Sequence, residues 1–236
     1  MTTCASTDEI RGRHRLIAHW KQALLADGSL TIVGDGLLAR LVALGAAALG
    51  IGRGEGCITV IAPPRRPDGI FCDAADGDNA LEGLLRAVTS RYPDCALCSV
   101  PFRPGDSQTK LLAIPSGVVV SCPSNRADLI AASQLGRRWG AELISAVTGG
   151  RRLFISTNPI VTHLGQLCFK RGDRECGGST AVAMLAAGLV LGEVRRLLMP
   201  MPGDTPTHGL TIEAAQRRGH RHVHEARGTR ALAGAD

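Results

Sequence analysis

The stretch Thr31–Gly52, TIVGDGLLARLVALGAAALGIG, constrains the fold more than any other part of the chain. A short β-branched run reads as a buried strand, Gly34-Asp35-Gly36 as a tight turn, and Leu37–Leu49 as a helix that is apolar over most of its surface. With GCITVIAP (Gly56–Pro63) as a second strand, this order makes a strand–helix–strand unit of the mononucleotide-binding kind. The turn fits G-x-G-x-x-A through Ala39. Its first glycine permits the sharp turn, its second lets backbone approach a phosphate, and its small third residue lets helix and strand pack. The helix N-terminus then favours an anion, whereas Asp35 sets a negative charge against one. By itself the motif is equally a packing device.

The alternation continues. ALEGLLRAVTSRY reads as a helix, CALCSVPF and GVVVSC as strands, RADLIAASQLGRRWG as a helix, and AELISAVT and RRLFIST as strands. A long small-residue helix, STAVAMLAAGLVLGEVRRLL, follows, and GLTIEAAQRRGHRHVHEA closes the pattern as a β-hairpin turning at Arg217–Gly219. The fold class predicted is α/β, a Rossmann-like doubly wound sheet with a parallel first half and mixed or antiparallel C-terminal strands. Residues 1–30 form a helical approach, with Leu16, Ile17, Trp20, Leu24 and Leu25 at helical spacing. Residues 31–225 make the Rossmann-like domain, and 226–236 read as a disordered tail.

Composition narrows the function. At 236 residues, with 44% apolar and 20% charged residues, the chain suits one globular core. A net charge of +6, from 27 basic against 21 acidic residues, raises nucleic acid as a partner. The arginines are scattered, and a single Tyr and two Trp offer little base stacking, so nucleic acid is not expected. MTTCASTDEI lacks a signal-peptide pattern; Arg40 interrupts one long apolar run, and Glu193 and Arg195 end the other. No membrane span is expected, and the protein is placed in the cytoplasm. Eight cysteines there read as buried small hydrophobes, thiols or metal ligands rather than disulfides. Cys95 and Cys98 form a C-x-x-C within a strand, where residues three apart face opposite ways. His220, His222 and His224 share one face of the closing hairpin, where they could bind zinc or nickel or simply form a polar edge.

The Arg-rich approach, W-x-Q at Trp20–Gln22, the strand, the glycine turn and LVALGAAALGIG together resemble the ThiF/MoeB/HesA family, prokaryotic relatives of ubiquitin-activating enzymes. RYPDCAL, VVVSCPSNRADL, STNP and the late small-residue helix are similar, in order, to that family's later segments. The resemblance implies a ThiF-type fold that binds ATP with Mg²⁺ and adenylates the C-terminus of a ubiquitin-like sulfur-carrier protein or of a peptide. It makes Gly34, Gly36, Ala39, Arg40, Ser124 and Asn125 the nucleotide-binding candidates. It also shows charges missing. Ala62-Pro63 stands where the ribose-binding acid is expected, Ala80 where a lysine is, and Ser121 and Ser124 replace two aspartates, the second of them the metal-associated one. Such catalysis is positioning and electrostatics, so these losses argue against ordinary adenylation. Cys168 and Cys176 fall in the loop where relatives carry zinc cysteines, but without paired C-x-x-C motifs structural zinc is not expected. Cys176, beside Arg174, is a candidate reactive thiol.

Three readings follow. The first is a degenerate, non-catalytic adenylyltransferase homologue that binds a carrier protein, a peptide or an active paralogue. The second is an active, divergent adenylyltransferase placing its charges at Arg65, Arg66, Asp73 or Asp128. The third is an NADP-dependent oxidoreductase, because Arg65 and Arg66 after the second strand suit a 2′-phosphate. The late helix, small and apolar nearly all round, needs close neighbours on most sides, so a homodimer or a heterodimer with a paralogue is expected.

Overall fold

The computed structural model describes residues 14–64, 79–149, 152–158, 180–205 and 210–213. Seven strands form one sheet: β1 (Leu30–Val33), β2 (Ile58–Ile61), β3 (Leu97–Val100), β4 (Val118–Ser121), β5 (Glu142–Gly149), β6 (Arg152–Thr157) and β7 (Leu210–Glu213). They lie in the order β3-β2-β1-β4-β5-β6-β7. The first five run parallel, and β6 and β7 add on antiparallel. This is the expected Rossmann-like sheet, with a parallel first half and antiparallel C-terminal strands.

The helices are α1 (Gln22–Ala26), α2 (Leu37–Leu49), α3 (Ala80–Arg91), α4 (Ser107–Leu112), α5 (Arg126–Trp139) and α6 (Thr180–Leu198). The chain steps outward from β1 to β3 and then hops back to β4, so right-handed crossovers place α2 and α3 on one face and α4 and α5 on the other. Strands β1, β2 and β4 are buried on both sides, as in parallel sheets covered by helices. Leu30, Ile32, Ile58 and Val60 point into the larger core with α2, α3 and α6. Val33, Ile61, Val100 and Val119 point into a smaller one with α4 and α5.

Close approach of α2 and α6 closes the larger core. Ala43, Ala46 and Ala47 of α2 and Ala183, Ala186 and Ala187 of α6 are all buried. A Cβ at Gly45 would stand 2.2 Å from Leu191 Cδ1, so Gly45 leaves the room in which the Leu191 side chain packs onto α2. One side of α6 packs on the core, and Ala181, Met184, Leu185, Gly188 and Gly192 are exposed among the described residues. Beyond α6, Arg195 clamps the following turn with two bonds to the Asp204 carboxylate, at 2.7 and 2.8 Å. That hydrogen bonding holds the Asp204 carboxyl below the ordinary carboxylate range.

Two elements differ from the sequence reading. The continuous helical approach is instead a 3-10 turn at His14–Leu16 and the five-residue α1, separated by His19 at φ 65°. Trp20 folds back to stack on His14, with ring centroids 4.4 Å apart, and its indole N–H donates to Gln22. Helix α4 was not anticipated, because six residues carry too little periodicity to be seen. The turn of the closing hairpin and the tail 226–236 lie outside the described residues. Among the described residues, no helix is long and apolar enough to cross a membrane.

Because α2 and α6 meet through alanines, Ala186→Leu should overpack their interface and cost about 1–3 kcal/mol. For a chain of this length that lowers the melting temperature by roughly 2–4 °C per kcal/mol, read by circular dichroism. An unchanged melting temperature would show that the two helices are not in close contact.

Candidate functional site at the glycine turn

Strand order reverses between β1 and β4, which sets the turn after β1 beside the loop after β4 at the C-terminal end of the sheet. All six nucleotide-binding candidates gather there. Their local duties are different.

Gly34 has φ +147°, a conformation that side chains rarely adopt, and a Cβ there would lie 2.3 Å from the Cys122 carbonyl oxygen. Its N–H donates to the Ile61 carbonyl at 3.0 Å, and Cys122 N–H donates to the Val33 carbonyl at 2.7 Å. The first glycine therefore joins three strands. Gly36 caps α2 at φ −83° without a side-chain hydrogen bond, and a Cβ there would meet open space. Ala39 is buried in the larger core. Arg40 is only 4% exposed, and its guanidinium donates to the Asp35 carbonyl at 3.2 Å, so this cation braces the turn.

Under the turn lies a cavity of about 10 Å³, lined by Ala39, Arg40, Ala62, Pro63, Ala80 and Leu84 among others. That is about the room one water needs. Ala62 and Ala80, where the resemblance expects charge, do converge here, and each contributes a buried methyl group.

On the β4 side, Asn125 caps α5 and its Oδ1 accepts from Asp128 N–H at 2.9 Å. The Asp128 carboxylate accepts in turn from Asn125 Nδ2 at 2.6 Å and Ser124 Oγ at 3.1 Å. Ser124 and Asn125 are thus engaged in a cap, and Asp128 sets a carboxylate beside the position of the missing aspartate. The sequence reading gave Asp128 only a secondary place, although an Asn followed three residues later by an acid is a readable cap. Ser121 and Ser145 pair across β4 and β5, fully buried, with hydroxyls that find no hydrogen-bond partner among the described residues.

The cysteines nearby are structural. Burial pushes the Cys122 thiol up to about 12, which keeps it protonated and unreactive near neutrality. Burial likewise raises Cys95 to about 11, and its thiol donates to the Ile51 carbonyl at 3.4 Å. Cys95 belongs to the larger core, whereas Cys98 stands on β3 opposite Thr59, its thiol raised by burial and by neighbouring Cys57. Cys95 lies in a bend before β3 and not within the strand as the sequence suggested, and among the described residues no three potential metal ligands cluster. Arg65, Arg66, Asp73, Cys168, Arg174, Cys176, His220, His222 and His224 lie outside the described residues.

A scan against known protein families gives no match, and neither does comparison with curated protein sequences. Among solved structures the chain is similar to PaaA, with a TM-score of 0.68 and 14% identity over 92% of this chain and 83% of that one. It is also similar to E. coli MccB, with a TM-score of 0.65 and 13% identity over 94% of this chain and 77% of that one. For MccB with ATP the TM-score is 0.58 at 16% identity, over 75% of this chain and 57% of that one, and MccB is also seen with MccA. The fold is therefore Rossmann-like and of ThiF type.

The two glycines should separate by mutation. Gly34→Ala places a Cβ against the Cys122 carbonyl in a disfavoured conformation and should cost about 1–3 kcal/mol or more, whereas Gly36→Ala should cost less than about 1 kcal/mol. Equal urea midpoints for the two variants would contradict these roles. Cys122 adds a pH dependence. Its folded-state pKa is raised above the ordinary 9.0, so its contribution is fully present below pH 9 and is lost as pH rises through about 12. The fall in unfolding free energy between about pH 8 and about pH 10 should be smaller in Cys122→Ala; an identical fall would show the thiol to be exposed.

Proposed function

We propose that this chain is a ThiF-like protein that binds a peptide or a small carrier protein and does not adenylate it by the family's ordinary route. The observation that carries this reading is the size of the cavity under the glycine turn, about 10 Å³. A nucleoside needs hundreds of cubic ångströms, and at Ala62 and Ala80, where the resemblance expects charged groups, the walls are methyl groups. Among the described residues, the side chains do not suit ATP with its metal. Arg40 is turned onto the Asp35 backbone, Ser124 is held by Asp128, and the carboxylates of Asp35 and Asp128 at this end of the sheet oppose a triphosphate. A scaffold without that chemistry still offers a partner-binding surface, and the structural similarity to MccB, which is seen with MccA, supports a polypeptide partner.

The second reading, a divergent ATP-dependent adenylyltransferase, draws on one observation, the Asp128 carboxylate beside Ser124. It requires Asp128 to leave its cap and the cavity to open.

Calorimetry with Mg·ATP separates the two. The expected result is no saturable binding at micromolar concentration. A dissociation constant below about 10 µM, near −7 kcal/mol, that is lost in Asp128→Asn would establish the second reading instead. Light scattering on the same sample should give a dimer, or a monomer that pairs with a co-expressed paralogue, since Met184 and Leu185 of α6 are exposed among the described residues.

A further inference from the structure

We infer that the outer face of α4 and α5 is a docking surface for an acidic, amphipathic segment of a partner polypeptide. The inference rests on the reading of this chain as a polypeptide-binding protein, and it adds where the partner sits and what chemistry it carries.

The connection from β3 to β4 holds itself in place with few side chains. Thr109 is buried and its hydroxyl donates to the Arg103 carbonyl at 2.6 Å, while Arg103 N–H donates to Asp106 Oδ2 at 3.0 Å. Ala113 enters the smaller core beside Ala132 and Leu135. With those anchors made, Leu111 is left 84% exposed, Leu112 56% and Ile114 44%, and Ile130 on α5 is 38% exposed. A single exposed leucine is ordinary, but three large aliphatics within four residues and a fourth on the adjoining helix are not. The turn that leads into α4 meets α5. A Cβ at Gly105 would lie 3.7 Å from the Ala131 Cβ, and the smaller core runs beneath both.

The charges around this patch have one sign. Arg103, Lys110, Arg126, Arg137 and Arg138 are all exposed. None of their side chains has a hydrogen-bond or ion-pair partner among the described residues. The two acids on the same connection and helix are engaged locally, Asp106 with the Arg103 backbone and Asp128 with Ser124 and Asn125. Exposed cations repel one another and gain by meeting carboxylates, and exposed leucines gain by meeting apolar side chains. A segment with both, such as an amphipathic acidic helix, answers both needs. Nucleic acid would meet the charges alone, because Phe102, the aromatic on this connection, is packed against the smaller core rather than presented for stacking. A membrane would have only the six residues of α4 to embed, which is short for an interfacial helix.

The test is fluorescence anisotropy with the full chain and a labelled probe peptide, a helix of about 18 residues with leucine on one face and glutamate on the others. Two paired variants address the two halves of the claim, Leu111→Ser with Leu112→Ser, and Lys110→Glu with Arg126→Glu. All four positions are exposed, so circular dichroism should show unchanged folds. Each pair should weaken the probe by at least about tenfold. Raising salt from about 50 to about 300 mM should weaken wild type more than the charge variant. The proposal falls if the probe does not bind, if either pair leaves its affinity unchanged, or if phosphatidylglycerol vesicles or single-stranded DNA bind this face in place of the peptide. Mg·ATP binding would overturn the non-adenylating reading without touching this result, so the two failures are distinguishable.

Discussion

The contact between Gly34 and the Cys122 carbonyl governs the end of the sheet where function would reside. Two neighbouring parallel strands usually part at a topological switch point, and the crevice between them receives the ligand. Here the last bond of the β1–β4 ladder, from Cys122 N–H to the Val33 carbonyl, lies directly before the turn. Gly34 is the residue that lets the turn leave from so close an approach. The turn's conformation, the start of α2 and the position of the β4 loop all follow from that junction.

From the same junction the molecule divides into unequal faces. On one, α2, α3 and α6 build a large core from alanines and branched aliphatics. On the other, eight buried residues suffice, and the short α4 is fastened by hydroxyl and carboxylate bonds. Stability is concentrated on the first face. The second is free to vary outwardly, and there the aliphatic and cationic side chains without intramolecular partners accumulate.

The residues of the glycine motif meet different demands. In G-x-G-x-x-A the first glycine meets a steric demand, the alanine meets a packing demand, and only the second glycine faces open space as a ligand-binding position would. A cation and a carboxylate are present, but each is directed to a structural duty, Arg40 to the turn and Asp128 to the α5 cap. Asp128 is half-buried, and its carboxylate accepts from both Ser124 and Asn125.

Periodicity and punctuation made most of the sheet legible. The four-residue strands β1, β2 and β4 are continuous β-branched runs, α2 begins and ends where Gly36 and Gly50 predict, and the ordered segments announce a ThiF-type scaffold. That alanines stand at 62 and 80 and a serine at 124, where the resemblance expects charge, was legible as well, because it needs no coordinates. The sequence could not show that Ala62 and Ala80 close on one small cavity, that Arg40 turns inward, or that Asp128 replaces solvent for Ser124 and Asn125. Those depend on distances between segments far apart in the chain. Nor could it separate Leu111 and Leu112 from core leucines, since hydrophobicity is local but burial is decided by what the rest of the fold brings to cover a residue.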